Sequence, residues 1–151
     1  MAVRNVRGGA DPLSNFYPCP IYFMELGFAS AEHVYQYEKS LYFGDEARAQ
    51  RILKSNSAYE AKTIGSELNK RHGYSPAGAR WRAKRVGLME TILWTKHRQC
   101  PAFARALRHS RGLRLTHNVR DGFWGSRGQN QFARLLTKVR YQHTPRKTSP
   151  L

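Results

Sequence analysis

FASAEHVYQYEKSLYFGD, residues 28–45, decides how the chain is read. It has the spacing of one helix, with Ser30 placed to cap its start and Gly44 to end it. At 100° per residue, Glu32, Gln36, Lys39 and Phe43 fall within about 60° of one another. Val34, Tyr37 and Leu41 point the opposite way. A polar stripe opposite an apolar face is usually solvated. An acid, an amide and a base set beside aromatic residues is also how a site is built, and the helix alone leaves both readings open.

Working outward, DPLSNFYPCPIYFMELGFAS precedes the helix. Its prolines and SN pair break the first part, and IYFM reads as a short strand turned at Glu25-Leu26-Gly27. After the helix, Asp45 opens DEARAQRILKS with acids in the first turn, where the helix dipole favours them. Ser57 and Glu60 form a capping box for SAYEAKTIGSELNKR, whose buried side is Ala61, Ile64 and Leu68. HGYSPAG, residues 72–78, reads as a loop, followed by a long helix over about 79–99 with Val86, Met89, Ile92 and Leu93 inward. Pro101 opens a short helix packed through Phe103 and Leu107. From Leu113 to Val119 the apolar period drops to two, which predicts a strand. A glycine-rich loop, DGFWGSRGQ, and a last helix, NQFARLLTKVR, complete the body. The sequence therefore predicts an α+β fold: a single compact, mostly helical domain with a small β-sheet. Residues 1–10 read as a flexible lead-in or edge strand, and 142–151 as a disordered basic tail.

The 151 residues suffice for one core without a staple, and their net charge of +16 is unevenly placed. Residues 1–79 hold nine Lys/Arg against eight Asp/Glu, and residues 80–151 hold seventeen against two, Glu90 and Asp121. Such a half suits a polyanionic partner, whether DNA or RNA, a phosphorylated ligand or an anionic membrane, with a basic solvated face as the other reading. Cys19 and Cys100 lack metal-ligand spacing and read as two thiols, with a disulfide left open. No apolar run is long enough for a membrane span or a leader, so the chain is expected to be soluble and intracellular.

DGFWGSRGQN, residues 121–130, is the second unusual stretch. Trp124 lies among glycines, where the backbone bends easily and a large ring is hard to bury, so the indole can wall a site for a base or ribose. Asp121 is the lone acid of a positive segment and fits an electrostatic acceptor; a turn cap is the alternative. The histidines show no HExxH or similar pair, and there is no GxGxxG, GxxxxGK[ST] or GxSxG. No metal and no cofactor is expected.

Taken together, PLSNFYPCPI, FASAEHVYQYEKSLYFGD, Ala61-Lys62, Trp81, DGFWG and NQFARLLTKVR resemble the NADAR family, which includes the YbiA-like proteins, in the family's order across residues 11–141. The resemblance implies a compact α+β domain acting on N-glycosidic bonds of nucleotide-like molecules such as ADP-ribose. It implies catalytic roles for Glu32, Asp121 and Lys39. It implies substrate binding by Asn15, Phe16, Tyr17, His33, Gln36, Trp81, Trp124, Gly125, Asn130 and Arg140. One segment departs: the family commonly has a glutamate about five residues before the late aspartate, where this chain reads RLTHNV with Thr116 and His117.

Hydrolysis of a ribosyl C1′–N bond passes through an oxocarbenium-like state, which a carboxylate stabilises while a donor protonates the departing base. The expected function is removal of ADP-ribose from guanine in nucleic acid. Cleavage of a phosphorylated riboflavin-pathway intermediate is the alternative. A non-catalytic reader of ADP-ribose or nucleic acid, or a basic accessory module, remain open as rivals.

Overall fold

The structure is a computed structural model that describes residues 2–143. Gln142 and His143, read as the start of a disordered tail, belong instead to the last helix, and residues 144–151 of that expectation lie outside the described residues. Helix α1 spans Ala31–Tyr42 and starts where Ser30 is extended and its Oγ accepts the His33 amide at 3.2 Å. It stops at Phe43, followed by Gly44 at φ +75°. Helix α2, Glu46–Lys54, is capped by Asp45, whose carboxylate accepts the Arg48 amide. Helix α3, Ala58–His72, is capped by Ser57 as expected. The reciprocal half of that box is displaced, because Glu60 accepts from the Asn56 amide rather than from the cap residue.

Helix α4, Pro76–Gln99, begins three residues earlier than the sequence suggested. Ser75 caps it and Pro76 takes the first helical position, where a missing N–H does no harm. Helix α5, Pro101–His109, and helix α6, Gln131–His143, follow the predicted patterns.

The small sheet is two separate ladders. Strand β1, Val3–Asn5, runs parallel to strand β4, Arg114–Thr116, with Val3 opposite Arg114. Strand β2, Ile21–Phe23, pairs antiparallel with strand β3, Leu26–Phe28. Met24 and Glu25, at φ 49° and 69°, make the turn, so Leu26 and Gly27 belong to the returning strand rather than to the turn. The alternation over Leu113–Val119 yields only the three residues of β4, since β1 offers no longer partner.

Helix α1 lies at the centre, packed against α2, α3 and α4. Its polar stripe is buried along with the apolar side: Glu32, Gln36 and Lys39 are covered, as are Val34 and Tyr37. Leu41, assigned to the apolar face, is 40% exposed, because the last turn leaves the core. Two cross-links fix the segments around it. Cys19 and Cys100, read as thiols with a disulfide left open, form a disulfide across a sequence separation of 81. Lys96, fully buried on α4, donates to the Ser14 carbonyl at 2.7 Å and pins the segment that carries Asn15 and Phe16. No helix among the described residues is long and apolar enough to cross a membrane.

The approach of α1 to α3 depends on Gly65. A Cβ there would collide with the amide oxygen of Gln36. Gly65→Ala should therefore destabilise the protein by about 1–3 kcal/mol in urea unfolding, the usual range for an overpacked core. Unchanged stability would mean that Gln36 does not lie against α3.

Candidate functional site

Three helices turn side-chain stripes toward one cavity of about 400 Å³. From α1 come Glu32, Tyr35, Gln36 and Lys39, and from α3 Lys62, Ser66 and Asn69. From α4 come Trp81, Arg85 and Met89, four residues apart and so on one face. The segment held by Lys96 contributes Ser14, Asn15 and Phe16, and the stretch after β4 contributes His117, Val119, Arg120, Asp121 and Trp124. Arg7 and Tyr59 complete the mouth, and Phe132 of α6 joins the lining.

The polar stripe of α1 thus faces an enclosed space. Gln36 Nε2 donates to Glu32 Oε1 at 2.8 Å. Burial pushes the Glu32 carboxyl above the usual carboxylate range; this outweighs the Gln36 bond and the nearby Lys62 and Lys39, which pull the other way. Lys39 Nζ donates to Asn69 Oδ1 at 3.1 Å, and burial draws its pKa down to about 8, with Glu32 opposing. The ammonium can therefore give up its proton near neutral pH. Asn15 turns its amide N–H toward the Met89 thioether at 3.2 Å and leaves Oδ1 buried without a partner behind the cavity wall.

Aromatic rings form the walls. Tyr35 meets Trp81 at 5.6 Å and the edge of Trp124 at 5.8 Å between centroids. Phe16 and Tyr59 pack edge to face at 4.6 Å, and Tyr59 is 56% exposed at the mouth. Phe43, placed in the stripe by helix geometry, supports Trp81 from behind at 6.1 Å and stacks on His72. The Arg85 guanidinium lies 3.3 Å over the Phe123 ring and ties the late loop to α4. Asp121 Oδ1 accepts the amides of Phe123 and Trp124, each at 2.8 Å. It is both the turn cap and a carboxylate on the cavity wall.

Nine of the residues implied by the resemblance are in this way close together or on the wall: Asn15, Phe16, Glu32, Gln36, Lys39, Trp81, Asp121 and Trp124 line the cavity, while Gly125 serves the loop behind them. A Cβ at Gly125 would stand 2.6 Å from the Asp121 carbonyl, so its task is the turn. Tyr17, His33, Asn130 and Arg140 do not line the cavity either. Tyr17 packs half-buried against the core. His33 bonds Ser30 Oγ and the Ser55 carbonyl through its two ring nitrogens. Asn130, at φ 58°, accepts from Ser126 and ends the loop. Arg140 donates to the carbonyls of Ser110 and Leu113. Tyr35, Lys62, Ser66, Asn69, Arg85 and Met89 were not anticipated, although helical spacing from Glu32 and Trp81 points to Tyr35, Arg85 and Met89.

Cations reach the cavity from both halves of the chain: Arg7, Lys39 and Lys62 from the first, Arg85 and Arg120 from the second. Part of the basic second half is spent internally, since Lys96 and Arg140 bond backbone carbonyls and Lys138 pairs with Glu90 at 2.7 Å. Among the described residues no group of His, Cys, Asp and Glu is gathered to hold a metal.

The buried Glu32 has a stability consequence with a defined sign. A carboxyl whose folded pKa is raised favours the fold at low pH and loses that contribution as pH rises through the folded value. Glu32→Gln keeps the amide-sized group without the ionisation. Its thermal midpoint should exceed the wild type's increasingly from about pH 4 to pH 8. A constant difference across that range would show that Glu32 ionises freely in the folded state.

Comparison with known proteins bears on the family and the fold. The NADAR domain family matches residues 5–143. A riboflavin biosynthesis protein of Vibrio vulnificus (strain YJ016) is 30% identical over 141 residues, covering 88% of this chain and 36% of the relative, so the chain spans about a third of that protein's length. The NMR structure of the Escherichia coli protein YbiA superposes with a TM-score of 0.74 at 24% identity, covering 93% of this chain and 84% of that one, and shows the same fold. With a family match across nearly the whole body, the chain belongs to the NADAR domain family.

Proposed function

We propose that the chain is an N-glycosidase that removes ADP-ribose from modified guanine bases in nucleic acid. The observation that carries this reading is the buried Glu32 beside Lys39, under aromatic walls and a cationic mouth. Buried as it is, an ionised Glu32 gains strongly from positive charge developing on the sugar, because the surrounding protein screens it less than bulk water would. Lys39, with its lowered pKa of about 8, donates a proton to the departing nitrogen. Asp121 orients ribose hydroxyls, and Trp81 and Trp124 hold the rings.

The mouth favours a nucleic-acid-borne substrate. Arg7, Lys62 and Arg120 stand there with exposed Tyr59, and a pair of phosphates alone needs fewer cations. A second reading is favoured by the riboflavin biosynthesis relative: cleavage of a phosphorylated riboflavin-pathway intermediate.

Incubation with guanine-ADP-ribosylated DNA and RNA tests both. Free ADP-ribose should appear with the wild type and fall about 10²–10⁴-fold with Glu32→Gln. Affinity for the oligonucleotide should fall steeply with added salt. Substrate bound but never cleaved would replace the enzyme with a reader. Cleavage of a phosphorylated riboflavin intermediate alone would establish the second reading.

A further inference from the structure

His117 lies in the segment that departs from the family pattern, and its surroundings give it a defined chemical state. It follows β4 and lines the cavity with Asp121 and Trp124. Its Nδ1 is 2.8 Å from the Val6 carbonyl. A carbonyl oxygen only accepts, so Nδ1 carries the hydrogen. In the neutral ring Nε2 then holds a lone pair, and among the described residues no side chain or backbone group bonds it. That nitrogen is also absent from the buried atoms lacking a partner, as befits an atom open to the cavity.

The ring is held rather than loose. Phe132 packs against it at 4.8 Å between centroids. The His117 amide donates to Ser126 Oγ at 2.6 Å, and the Ser126 amide returns a bond to the His117 carbonyl at 2.8 Å. The histidine is thereby fixed to the same loop that carries Asp121. His33 makes an instructive contrast: its Nε2 faces the Ser55 carbonyl and its Nδ1 a hydroxyl, so neither nitrogen is left over.

We infer that His117 is the general base of the site, accepting through Nε2 a proton from the water that attacks the sugar. This rests on the N-glycosidase reading above. The water oxygen bonds to C1′ as the C1′–N pair leaves with the base. One water proton passes to Nε2, and the departing nitrogen takes its proton from Lys39. Proton exchange with solvent then resets both groups. Burial keeps the ring's pKa below the ordinary histidine value, so the imidazole is neutral at physiological pH. The Val6 bond opposes this shift, as do Asp121 on its own loop and Asp11 across from it; Lys62 on α3 reinforces it. Arg7, next to Val6, and Arg120 also line the cavity.

Two measurements decide the matter. Nitrogen-15 NMR of the wild-type imidazoles needs no substrate: His117 should be the Nδ1–H tautomer near neutral pH, and its ring signals should shift when ADP-ribose is added. An Nε2–H tautomer, or signals indifferent to ADP-ribose, would overturn the assignment even if hydrolysis occurs. In the turnover assay, His117→Asn keeps a donor for Val6, and His117→Gln offers a non-basic oxygen in place of Nε2. Both variants, checked for folding by circular dichroism, should bind ADP-ribose within about threefold of wild type. Both should lose about 10²–10⁴-fold in kcat. Wild-type turnover by His117→Asn would sink the proposal. If the wild type cleaves nothing while the tautomer and ligand shifts are as expected, the N-glycosidase reading fails first, and the general-base role fails with it.

Discussion

Everything in this molecule is arranged around the burial of three polar side chains on one helix. Placing Glu32, Gln36 and Lys39 inside is unfavourable unless each finds a partner. Gln36 supplies one to Glu32, and Asn69 one to Lys39. The partners lie close because α3 approaches α1 through Gly65, where any larger residue would strike Gln36. The remaining mismatch stays in the ionisation equilibria: the acid holds its proton more tightly and the lysine less tightly than either would in water. Groups tuned in opposite directions side by side are suited to proton transfer, so the proposed chemistry falls on the least comfortable part of the core.

Much of this was legible in the sequence because it is local. Ser30 and Ser57 cap the helices they were assigned, Asp45 stands one place before the helix it was expected to open, and the spacing of Glu32, Gln36 and Lys39 correctly places them on one face. The sequence could not say that this face is buried, because burial is decided by α3 and α4 rather than by α1. The same limit explains the misread start of α4: Ser75-Pro76 resembles loop composition but is also a favoured way to open a helix. It explains Arg140, Asn130 and Gly125 as well. A family pattern marks positions that matter, yet a residue can matter by closing a turn or bonding a carbonyl away from the cavity.

Charge shows the same distinction between composition and placement. The basic excess belongs to the second half of the chain, but the cations at the cavity are drawn from both. Lys96 illustrates how far a formal charge can be from a binding role: it is fully enclosed, it lies 4.6 Å from the Phe103 ring, and burial brings its pKa down to about 7. Its contribution is mechanical, through the Ser14 carbonyl, and reaches the site only because Asn15 and Phe16 come next.

The parallel pairing of β1 with β4 joins residues more than a hundred positions apart, and Val6 meets His117 across the same gap. Helices α1 to α3 can form from contacts near in sequence, whereas this ladder must wait for its distant partner. On a ribosome, the first strand emerges early and stays unpaired until residues 114–116 have left the exit tunnel. The cavity is consequently the last part of the domain to take shape, and a nascent or truncated chain lacking β4 would carry Glu32 and Lys39 without the wall that completes their enclosure.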